Sequence, residues 1–307
     1  MTPTSKIITH SGKTSLPIIF FGSEEFSLYS LTALVDVGFE IVAVVTKPDT
    51  ERGRGHKLTE PAVKQYAKQH NIAVWQPTSL HELLPLIEPY KPVAGVLVSY
   101  GRIIPDSILE SFTPGIINLH PSLLPKYRGP SPIESAIANR DNKTGVTIMK
   151  LVKQMDAGPS YAQFPYALDG TETRPELYET LGMLGAHVLV VTLPDIFDGN
   201  IMPTDQHADD ASYCSILTRE DTYLDFSKLT PGEAEARIRA HLGFPRSRVK
   251  IGSYDLIILK AHGVMTKKTP LDIECSNGAF LSLDVVIAPS GRSMTAEEFL
   301  RGYPIEQ

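Results

Sequence analysis

The chain has 307 residues and a formal net charge of −6, with 42% hydrophobic and 21% charged residues. This length allows two domains with a sizeable core, and the composition is typical of a soluble globular protein. The acidic total gives no general indication of nucleic-acid binding, so any such surface must be a local patch. Cys214 and Cys275 are far apart in the sequence, which predicts reduced structural thiols and no metal site.

The amino-terminal segment is polar and lacks a long apolar core, so residues 1–16 are expected to form a loose tail and not a secretory signal. No apolar run approaches the length of a membrane span. We therefore expect a cytoplasmic protein with no membrane partner.

Short apolar strands alternate with helical patterns along most of the chain. Strands are expected at 18–21, 40–46, 72–75, 93–99 and from 116, and helices at 23–37, 60–70, 79–88, 105–112 and 131–139. Ser23 is the expected N-cap of the first helix and Gly38 its stop signal. The alternation predicts a Rossmann-like α/β domain with a mostly parallel sheet. The turn at 22–26 lacks the glycine-rich dinucleotide fingerprint.

The sequence becomes more polar after Asn200. We therefore place a domain boundary in this region, between a catalytic domain at 17–203 and a second domain at 204–307. Before it, strands are expected at 145–152 and 160–167, and a capping box of Thr173 and Glu176 opens a long apolar helix ending near Gly199. Beyond it, a helix at 230–242 precedes short strands around 249 and at 256–259, 271–274 and 279–287. This pattern predicts a small OB-like β-barrel.

The residues most informative about function follow the strand that begins at Ile116. Side chains alternate along a strand, so Asn118 and His120 point to the same face, and Pro121 then ends ladder pairing. The carboxyl end of such a strand is where open α/β sheets bind ligands. An amide there can donate to an oxyanion and an imidazole can act as a general base. A core histidine satisfied by the backbone is the alternative.

A carboxylate that orients the imidazole would complete such a site. Asp156 can fix the tautomer of His120 and raise its basicity, although on spacing alone an aspartate that caps a turn is the alternative. No serine or cysteine lies within a nucleophile elbow, which argues against a covalent route. The three residues together suit acyl-type transfer to an amine.

Two cationic regions stand out against the acidic total. The first is the loop containing Lys47, Arg52, Arg54 and Lys57, which suits phosphate contacts; a solvated surface loop is the alternative. The second region is a run of basic residues in the second domain, which fits a nucleic-acid platform or an inert charged face. Its members are Arg237, Arg239, Arg246, Arg248, Lys250, Lys260, Lys267 and Lys268.

From Ile18 to Tyr303 the chain resembles the methionyl-tRNA formyltransferases, folate-dependent enzymes of the formyltransferase-fold group. The resemblance rests on the Asn118-x-His120 strand end, the sequence Ser-Leu-Leu-Pro-Lys-Tyr-Arg-Gly at 122–129, the strand at 145–148 and Asp156-x-Gly158. The segment from 289 to 302 is similar to the family's final segment.

This resemblance implies that Asn118, His120 and Asp156 are the catalytic residues. It implies transfer of a formyl group from 10-formyltetrahydrofolate, a co-substrate, to the α-amine of methionyl initiator tRNA, without a metal; we expect a monomer. The implied folate-site residues are Ser122, Leu123, Leu124, Pro125, Val98, Tyr100, Arg102, Ile103 and Ile104. The expected tRNA contacts are Lys47, Arg52, Arg54, Lys57, Arg246 and Arg248, with Arg54 at the position of the family's key arginine.

The chain departs from the family's pattern at three loops. The turn at 22–26 replaces Gly-Thr-Pro-x-Phe, Pro121 stands where a glycine is common, and Leu-Gly-Phe-Pro at 242–245 replaces Asn-Pro-x-Pro. Three other functions stay open: formylation of an amino-sugar nucleotide, hydrolysis releasing formate, and non-catalytic RNA binding on a degenerate scaffold. The arginine-bearing loop and the expected barrel favour tRNA as the acceptor, and the intact trio argues against a non-catalytic protein.

Overall fold

The computed structural model describes residues 16–52 and 57–305, which form two compact units. The first unit runs to Ile117 and also contains Leu189–Met202; the second comprises Asn118–Val188 and the chain from Pro203 onwards. The domain boundary at 203/204 stays a prediction. Of the tail expected at 1–16, all but Leu16 lies outside the described residues.

A sheet flanked by helices forms the first unit. In chain order its elements are β1 (Ile18–Gly22), α1 (Phe26–Val37), β2 (Ile41–Val45), β3 (Thr50–Arg52), β4 (Lys57–Thr59), α2 (Ala62–Gln69), β5 (Ala73–Trp75), α3 (Leu84–Ile87), β6 (Ala94–Val98), α4 (Asp106–Leu109) and the start of β7 (Ile116–His120). The sheet order is β5-β2-β1-β6-β7, with β1 parallel to both β2 and β6. The central strand β1 is fully buried, as its apolar run requires. The Rossmann-like prediction is confirmed.

Two local predictions in this unit were wrong. Helix α1 begins at Phe26 with Glu25 as its N-cap, so Ser23 does not cap it; instead, the Ser23 hydroxyl accepts a hydrogen bond from the backbone N–H of Lys47. The helix expected at 79–88 is broken into 3-10 turns around α3. Pro85, inside the expected range, lacks the N–H group that a continuous helix needs there. The expected stop of α1 at Gly38 is confirmed by its left-handed φ of 94°.

The second unit begins inside β7, and its elements carry the candidate site. They are α5 (Pro132–Ala138), β8 (Lys143–Lys150), β9 (Ser160–Ala167), α6 (Arg174–Phe197, shared with the first unit), α7 (Pro231–Ala240), β10 (Arg248–Ile251), β11 (Tyr254–Val264), β12 (Asp272–Glu274), β13 (Phe280–Ile287), β14 (Ser293–Thr295) and α8 (Ala296–Gly302). Next to β7 lies β8, which pairs antiparallel with β9.

Helix α6 corrects the expectation that no apolar run approaches the length of a membrane span. By length and composition alone its 24 residues could cross a membrane, and half of the stretch that meets this test is buried. An added Cβ at Gly185 would lie 2.6 Å from the Leu119 side chain, so α6 packs closely on β7. A helix buried in a core is apolar around much of its circumference, which explains the composition.

The carboxy-terminal part of the second unit is an antiparallel sheet in the order β10-β11-β13-β12, with β14 also on β13. Helix α7 opens with a capping box in which the Thr230 backbone N–H and hydroxyl both donate to Glu233, at 2.8 and 2.7 Å. Alternating apolar residues of β11 and β13 pack around Phe299 of α8. The expected antiparallel strands are confirmed, whereas β14 and α8 were not predicted. Closure into a barrel stays a prediction.

We expect the substitution Phe299→Ala to lower the free energy of unfolding by about 3–5 kcal/mol, because a buried aromatic ring leaves a cavity when removed. Phe299 is fully buried and its ring stacks on Tyr303 with a centroid distance of 4.7 Å. The control is Met265→Ala, since that side chain is 81% exposed; it should change the free energy by less than about 0.5 kcal/mol. Denaturant titration of both variants checks this, and equal losses would contradict the packing.

Candidate active site

Asn118 and His120 lie together at the carboxyl end of β7, and each is only 5% exposed. The period of two along a strand puts both side chains on one face, as predicted. Within residues 16–52 and 57–305, the side-chain amide of Asn118 makes no hydrogen bond. Its N–H groups are therefore available to a ligand.

A backbone carbonyl sets the tautomer of His120. The ring Nε2 lies 2.9 Å from the carbonyl oxygen of Tyr127. Because a carbonyl oxygen can only accept, Nε2 carries a hydrogen and the neutral ring has its lone pair on Nδ1. The alternative interpretation, a core histidine whose ring nitrogens are hydrogen-bonded to the backbone, therefore applies to Nε2 but not to Nδ1.

The second ring nitrogen faces a carboxylate. His120 Nδ1 lies 3.7 Å from Asp156 Oδ2, too far for a direct hydrogen bond but close enough for an ion pair once the ring is protonated. The side chain of Asp156 is largely buried. The expected approach of Asp156 to the imidazole is thus present, but the expectation that Asp156 fixes the tautomer was wrong, because the Tyr127 carbonyl does so.

Local backbone geometry holds Asp156 in place. Its φ is +48°, in the left-handed region, and its Oδ2 accepts a hydrogen bond from the Gly129 N–H at 2.8 Å. An added Cβ at Gly158 would lie 1.9 Å from the carbonyl oxygen of Lys150, so only glycine fits there. The chain reverses between β8 and β9 at this point, which brings the carboxylate back towards the end of β7.

The loop after β7 is fixed by its own polar groups and by β8. The Ser122 hydroxyl donates to the Lys126 carbonyl at 2.5 Å. The Thr147 hydroxyl donates to the Ser122 carbonyl at 2.7 Å and accepts from the Leu124 N–H at 3.1 Å. Gln163 of β9 donates to the Leu124 carbonyl. Ser122 is therefore committed to the loop, and its hydroxyl is not presented to a ligand.

Tyr127, whose carbonyl accepts a hydrogen bond from His120, is itself held by hydrogen bonds to its side chain and to its backbone. Its hydroxyl donates to Asp141 at 2.8 Å and accepts from the Asn139 amide at 2.9 Å. Its N–H donates to the Ser212 hydroxyl at 2.9 Å. Burial raises the pKa of the Tyr127 phenol, so it remains a hydrogen-bond donor at neutral pH. The carbonyl that orders the imidazole is thereby kept in position.

The expected pterin wall follows β6 in the first unit. Val98 and Tyr100 are fully buried, and burial raises the pKa of the Tyr100 phenol. Ile104 is buried, whereas Ile103 exposes 75% of its side chain. Arg102 donates to the carbonyls of two residues before α3, at 2.9 and 3.0 Å. Val98, Tyr100 and Ile104 therefore support this loop from within, and Ile103 offers it an apolar surface.

The remaining residues expected in the folate site belong to the loop after β7. Leu124 is buried, and Leu123 and Pro125 are partly buried. An added Cβ at Gly145 would lie 2.7 Å from the Leu123 side chain, so Leu123 packs against β8. These side chains shape the loop, and partial exposure leaves Leu123 and Pro125 within reach of a ligand.

The residues expected to contact tRNA differ in the other contacts that they make within the protein. Lys47 lies against Gly101, where an added Cβ would be 2.5 Å from its Nζ. The backbones of Arg52 and Lys57 pair in the β3–β4 hairpin. Arg54 lies outside the described residues.

In the second unit, Arg246 and Arg248 are in different environments. Arg246 is exposed and has a φ of +68°. Arg248 makes two hydrogen bonds to Asp255, at 3.1 and 2.8 Å. The guanidinium of Arg248 lowers the pKa of the Asp255 carboxyl below its usual range. Arg248 is therefore partly neutralised by this pair.

Sequence reasoning missed the segment between Thr204 and Cys214 as a source of site residues. Gln206 donates from its amide to the carbonyls of Asp156 and Gly158, at 2.8 and 2.7 Å. The local sequence around a glutamine in a polar linker does not indicate such a role. The role depends on which distant carbonyl groups the fold places beside the amide.

The two cysteines are free, and burial raises the pKa of both thiols. The Cys214 sulfur accepts a hydrogen bond from the Ser131 N–H at 3.3 Å. Among the described residues, no three His, Cys, Asp or Glu side chains are grouped to hold a metal ion.

Comparison with known proteins identifies the family. Residues 17–193 match the family model described as "Formyl transferase". A methionyl-tRNA formyltransferase of Myxococcus xanthus is 35% identical over 301 residues, covering 94% of this chain and 95% of the relative. The chain belongs to the methionyl-tRNA formyltransferase family. Another member, from Thermotoga maritima, is 38% identical and covers 78% of this chain and 77% of its own. The resemblance read from the sequence is confirmed, and the protein is a formyltransferase.

Solved structures share the fold at lower identity. An N-formyltransferase of Helicobacter canadensis, in complex with folinic acid and dTDP-3-aminofucose, has a TM-score of 0.67 at 20% identity and covers 88% of this chain and 99% of its own. HypX of Aquifex aeolicus, in complex with tetrahydrofolic acid, has a TM-score of 0.65 at 15% identity and covers 94% of this chain and 47% of its own. These likenesses show the fold alone.

We expect Gly158→Ala to lower kcat about a hundredfold, because the added methyl group would displace the Asp156 loop from the Lys150 carbonyl, and an error of about 1 Å in a catalytic group has this effect. Gly302→Ala is the control, since no heavy atom lies within 4 Å of the added Cβ. Formyl-transfer kinetics below the melting temperatures of both variants check this. Equal activity of the two variants would contradict the proposed constraint.

Proposed function

We propose that the protein transfers a formyl group from 10-formyltetrahydrofolate to the α-amine of methionine esterified to initiator tRNA. The observation that carries the proposal is the convergence of Asn118, His120 and Asp156 at the end of β7 in a chain of this family. In this proposal residues 17–203 form the catalytic domain and residues 204–307 a barrel that helps to bind tRNA. The enzyme works as a cytoplasmic monomer.

His120 moves the proton. Attack of the amine nitrogen on the formyl carbon leaves that nitrogen with a proton to lose, and His120 Nδ1 is the ring nitrogen free to accept it. The same nitrogen then returns the proton to N10 of the folate as the bond between N10 and the formyl carbon breaks. Asp156, 3.7 Å away, stabilises the imidazolium between these two steps. Such acid–base help is worth roughly 10²–10⁴-fold.

Asn118 stabilises the oxyanion that forms when the formyl carbon becomes tetrahedral. Its amide is nearly buried and has no partner within the described part of the chain, so donating to the oxyanion breaks no existing hydrogen bond. One such donor contributes about 2.7–4 kcal/mol to the transition state in comparable sites. The burial of Asn118 strengthens this interaction because it excludes water.

The residues expected in the folate site contribute in different ways within each unit. Ile103 offers an exposed apolar side chain, which suits one face of an aromatic ring. Ser122, Leu123, Leu124 and Pro125 contribute loop shape and apolar surface, because the Ser122 hydroxyl is already bonded to Lys126. Val98, Tyr100, Arg102 and Ile104 hold the wall in shape.

The tRNA contacts in this proposal are phosphate contacts. Lys47, Arg52, Arg54 and Lys57 belong to the loop after β2, and Arg246 is exposed in the second unit. Arg248 contributes less charge because Asp255 pairs with it. Cationic side chains release counterions from phosphates, so binding depends steeply on salt.

We expect Asn118→Ala, His120→Ala and Asp156→Asn each to lower kcat at least a hundredfold while the melting temperature is retained. Incubation with 10-formyltetrahydrofolate and charged initiator tRNA, followed by measurement of blocked α-amine, gives the rate. The matched control is His262→Ala, which removes an exposed histidine bonded to Asp284 at 2.8 Å; its kcat should stay within twofold.

The same assay separates the alternatives. Formylation of an amino-sugar nucleotide in place of the charged tRNA would overturn the proposed acceptor. Release of formate without any amine acceptor would identify a hydrolase. Near-normal turnover of Asn118→Ala and His120→Ala would remove both residues from the mechanism.

We expect Arg54→Ala to raise KM for methionyl-tRNA about tenfold and to leave KM for the folate unchanged, because the resemblance places Arg54 at the position of the family's key arginine among the tRNA contacts. The salt dependence of kcat/KM for the tRNA should also become shallower by about one phosphate contact. Arg292→Ala, at an exposed turn of the second unit, is the control. Equal weakening of both substrates by Arg54→Ala would contradict a role specific to tRNA.

A further inference from the structure

A short stretch of chain ties together the two loops that carry the catalytic residues. We call residues 204–214 the strap. At one end, the backbones of Thr204 and Ser160 exchange two hydrogen bonds of 2.8 Å. At the other end, the Arg128 N–H donates to the Ser212 carbonyl at 2.8 Å, and the Cys214 N–H donates to the Arg128 carbonyl at 2.9 Å. The strap therefore contacts both the loop after β7 and the turn between β8 and β9.

Gln206 lies between these two anchored ends and has every hydrogen-bonding position filled. Its Nε2 donates to the carbonyls of Asp156 and Gly158, at 2.8 and 2.7 Å. Its Oε1 accepts from Arg128 Nε and a terminal nitrogen, at 3.1 and 2.8 Å. Arg128 is 5% exposed. The Gln206 amide thus joins a buried guanidinium to the backbone of the catalytic aspartate.

A second hydrogen-bonded path leads from the Arg128 loop to Asp156, this time to its carboxylate. Gly129, the next residue along the chain, donates its N–H to Asp156 Oδ2 at 2.8 Å. Gln206 fixes the backbone of Asp156, and Gly129 fixes its side chain. Asp156 adopts a left-handed φ of +48°, which aspartate tolerates better than most non-glycine residues, and these external hydrogen bonds stabilise the turn in that conformation.

We infer that Gln206 is a positioning residue for formyl transfer, which keeps the Asp156 carboxylate opposite His120 through its hydrogen bonds to Arg128 and to the Asp156 turn. This inference rests on the proposed function. It assigns a catalytic consequence to the strap, a segment whose sequence predicts only a linker. Gln206 itself touches neither His120 nor the reacting groups.

The isosteric variant Gln206→Glu isolates the interaction. A carboxylate in this position keeps the volume and the contact with Arg128, but it loses both donors to the carbonyls of Asp156 and Gly158. Two carbonyl oxygens then face a carboxylate oxygen at hydrogen-bond distance, which is repulsive. The turn should therefore shift while the Arg128 contact is retained.

We expect Gln206→Glu to lower kcat about ten- to a hundredfold and to leave KM for both substrates within twofold, because the turn moves without removing a substrate contact. The same change at an exposed glutamine, Gln65→Glu on α2, is the control and should leave kcat within twofold. Unchanged kcat in Gln206→Glu, with wild-type protein active, overturns the inference alone. An inactive wild-type protein overturns the proposed function instead.

A double-mutant comparison separates positioning from general stability. In an Asp156→Asn background, Gln206→Glu should lower kcat by less than about twofold, because its effect acts through the carboxylate already removed. A purely structural role predicts the same fold-loss in both backgrounds and would overturn the inference. If thermal melting shows that Gln206→Glu is unfolded, Gln206→Met, which keeps the length without the polar groups, provides the same comparison.

Discussion

The bond between His120 Nε2 and the Tyr127 carbonyl is the constraint on which the proposed chemistry depends. A carbonyl oxygen cannot donate, so it fixes the ring hydrogen on Nε2 and leaves Nδ1 as the nitrogen that can take a proton. The acceptor belongs to the loop that β7 itself leads into, and Tyr127 adopts a φ of +59° to aim its carbonyl back at the strand end. Asp141, Asn139 and Ser212 then hold Tyr127 in this strained conformation.

Asp156 faces the same ring under a similar constraint, because its turn is also left-handed. Strained turns of this kind persist only where surrounding contacts over-determine them. Here those contacts come from Gly129 and Gln206, both within the second unit. The loop after β7 and the turn between β8 and β9 therefore depend on each other through the strap. This coupling keeps an uncommitted amide, a basic nitrogen and a carboxylate in one place.

How much of this could be predicted from the sequence depends on the range of the interaction that carries each feature. The strand ending in Asn118 and His120 was predictable, because the alternation of side chains is a local property of a strand. The role of Asp156 was ambiguous from its spacing in the sequence and was assigned only by the family resemblance. Its approach to His120 depends on the long-range pairing of β8 and β9. Gln206 was not predictable: its partners lie 48 and 50 residues away, and nothing in a polar linker marks them. The continuous helix expected at 79–88 failed for a local reason, because Pro85 lacks a backbone N–H donor.

Charge was the least predictable property, because a count of basic residues ignores what each one contacts. Arg239 illustrates this: the run of basic residues in the second domain includes it, yet it bonds to Glu235 and to the Glu172 carbonyl. The Glu172 contact lies far away in sequence and is invisible in a local count. An arginine held in this way must break its existing hydrogen bonds before it can bind phosphate, whereas the exposed Arg246 has no such side-chain bonds to break among the residues that the structure describes. The other six members of the run apart from Arg239 and Arg248 are exposed, so in a chain of net charge −6 most of the run stays available to attract tRNA, and contacts with other groups hold back only these two arginines.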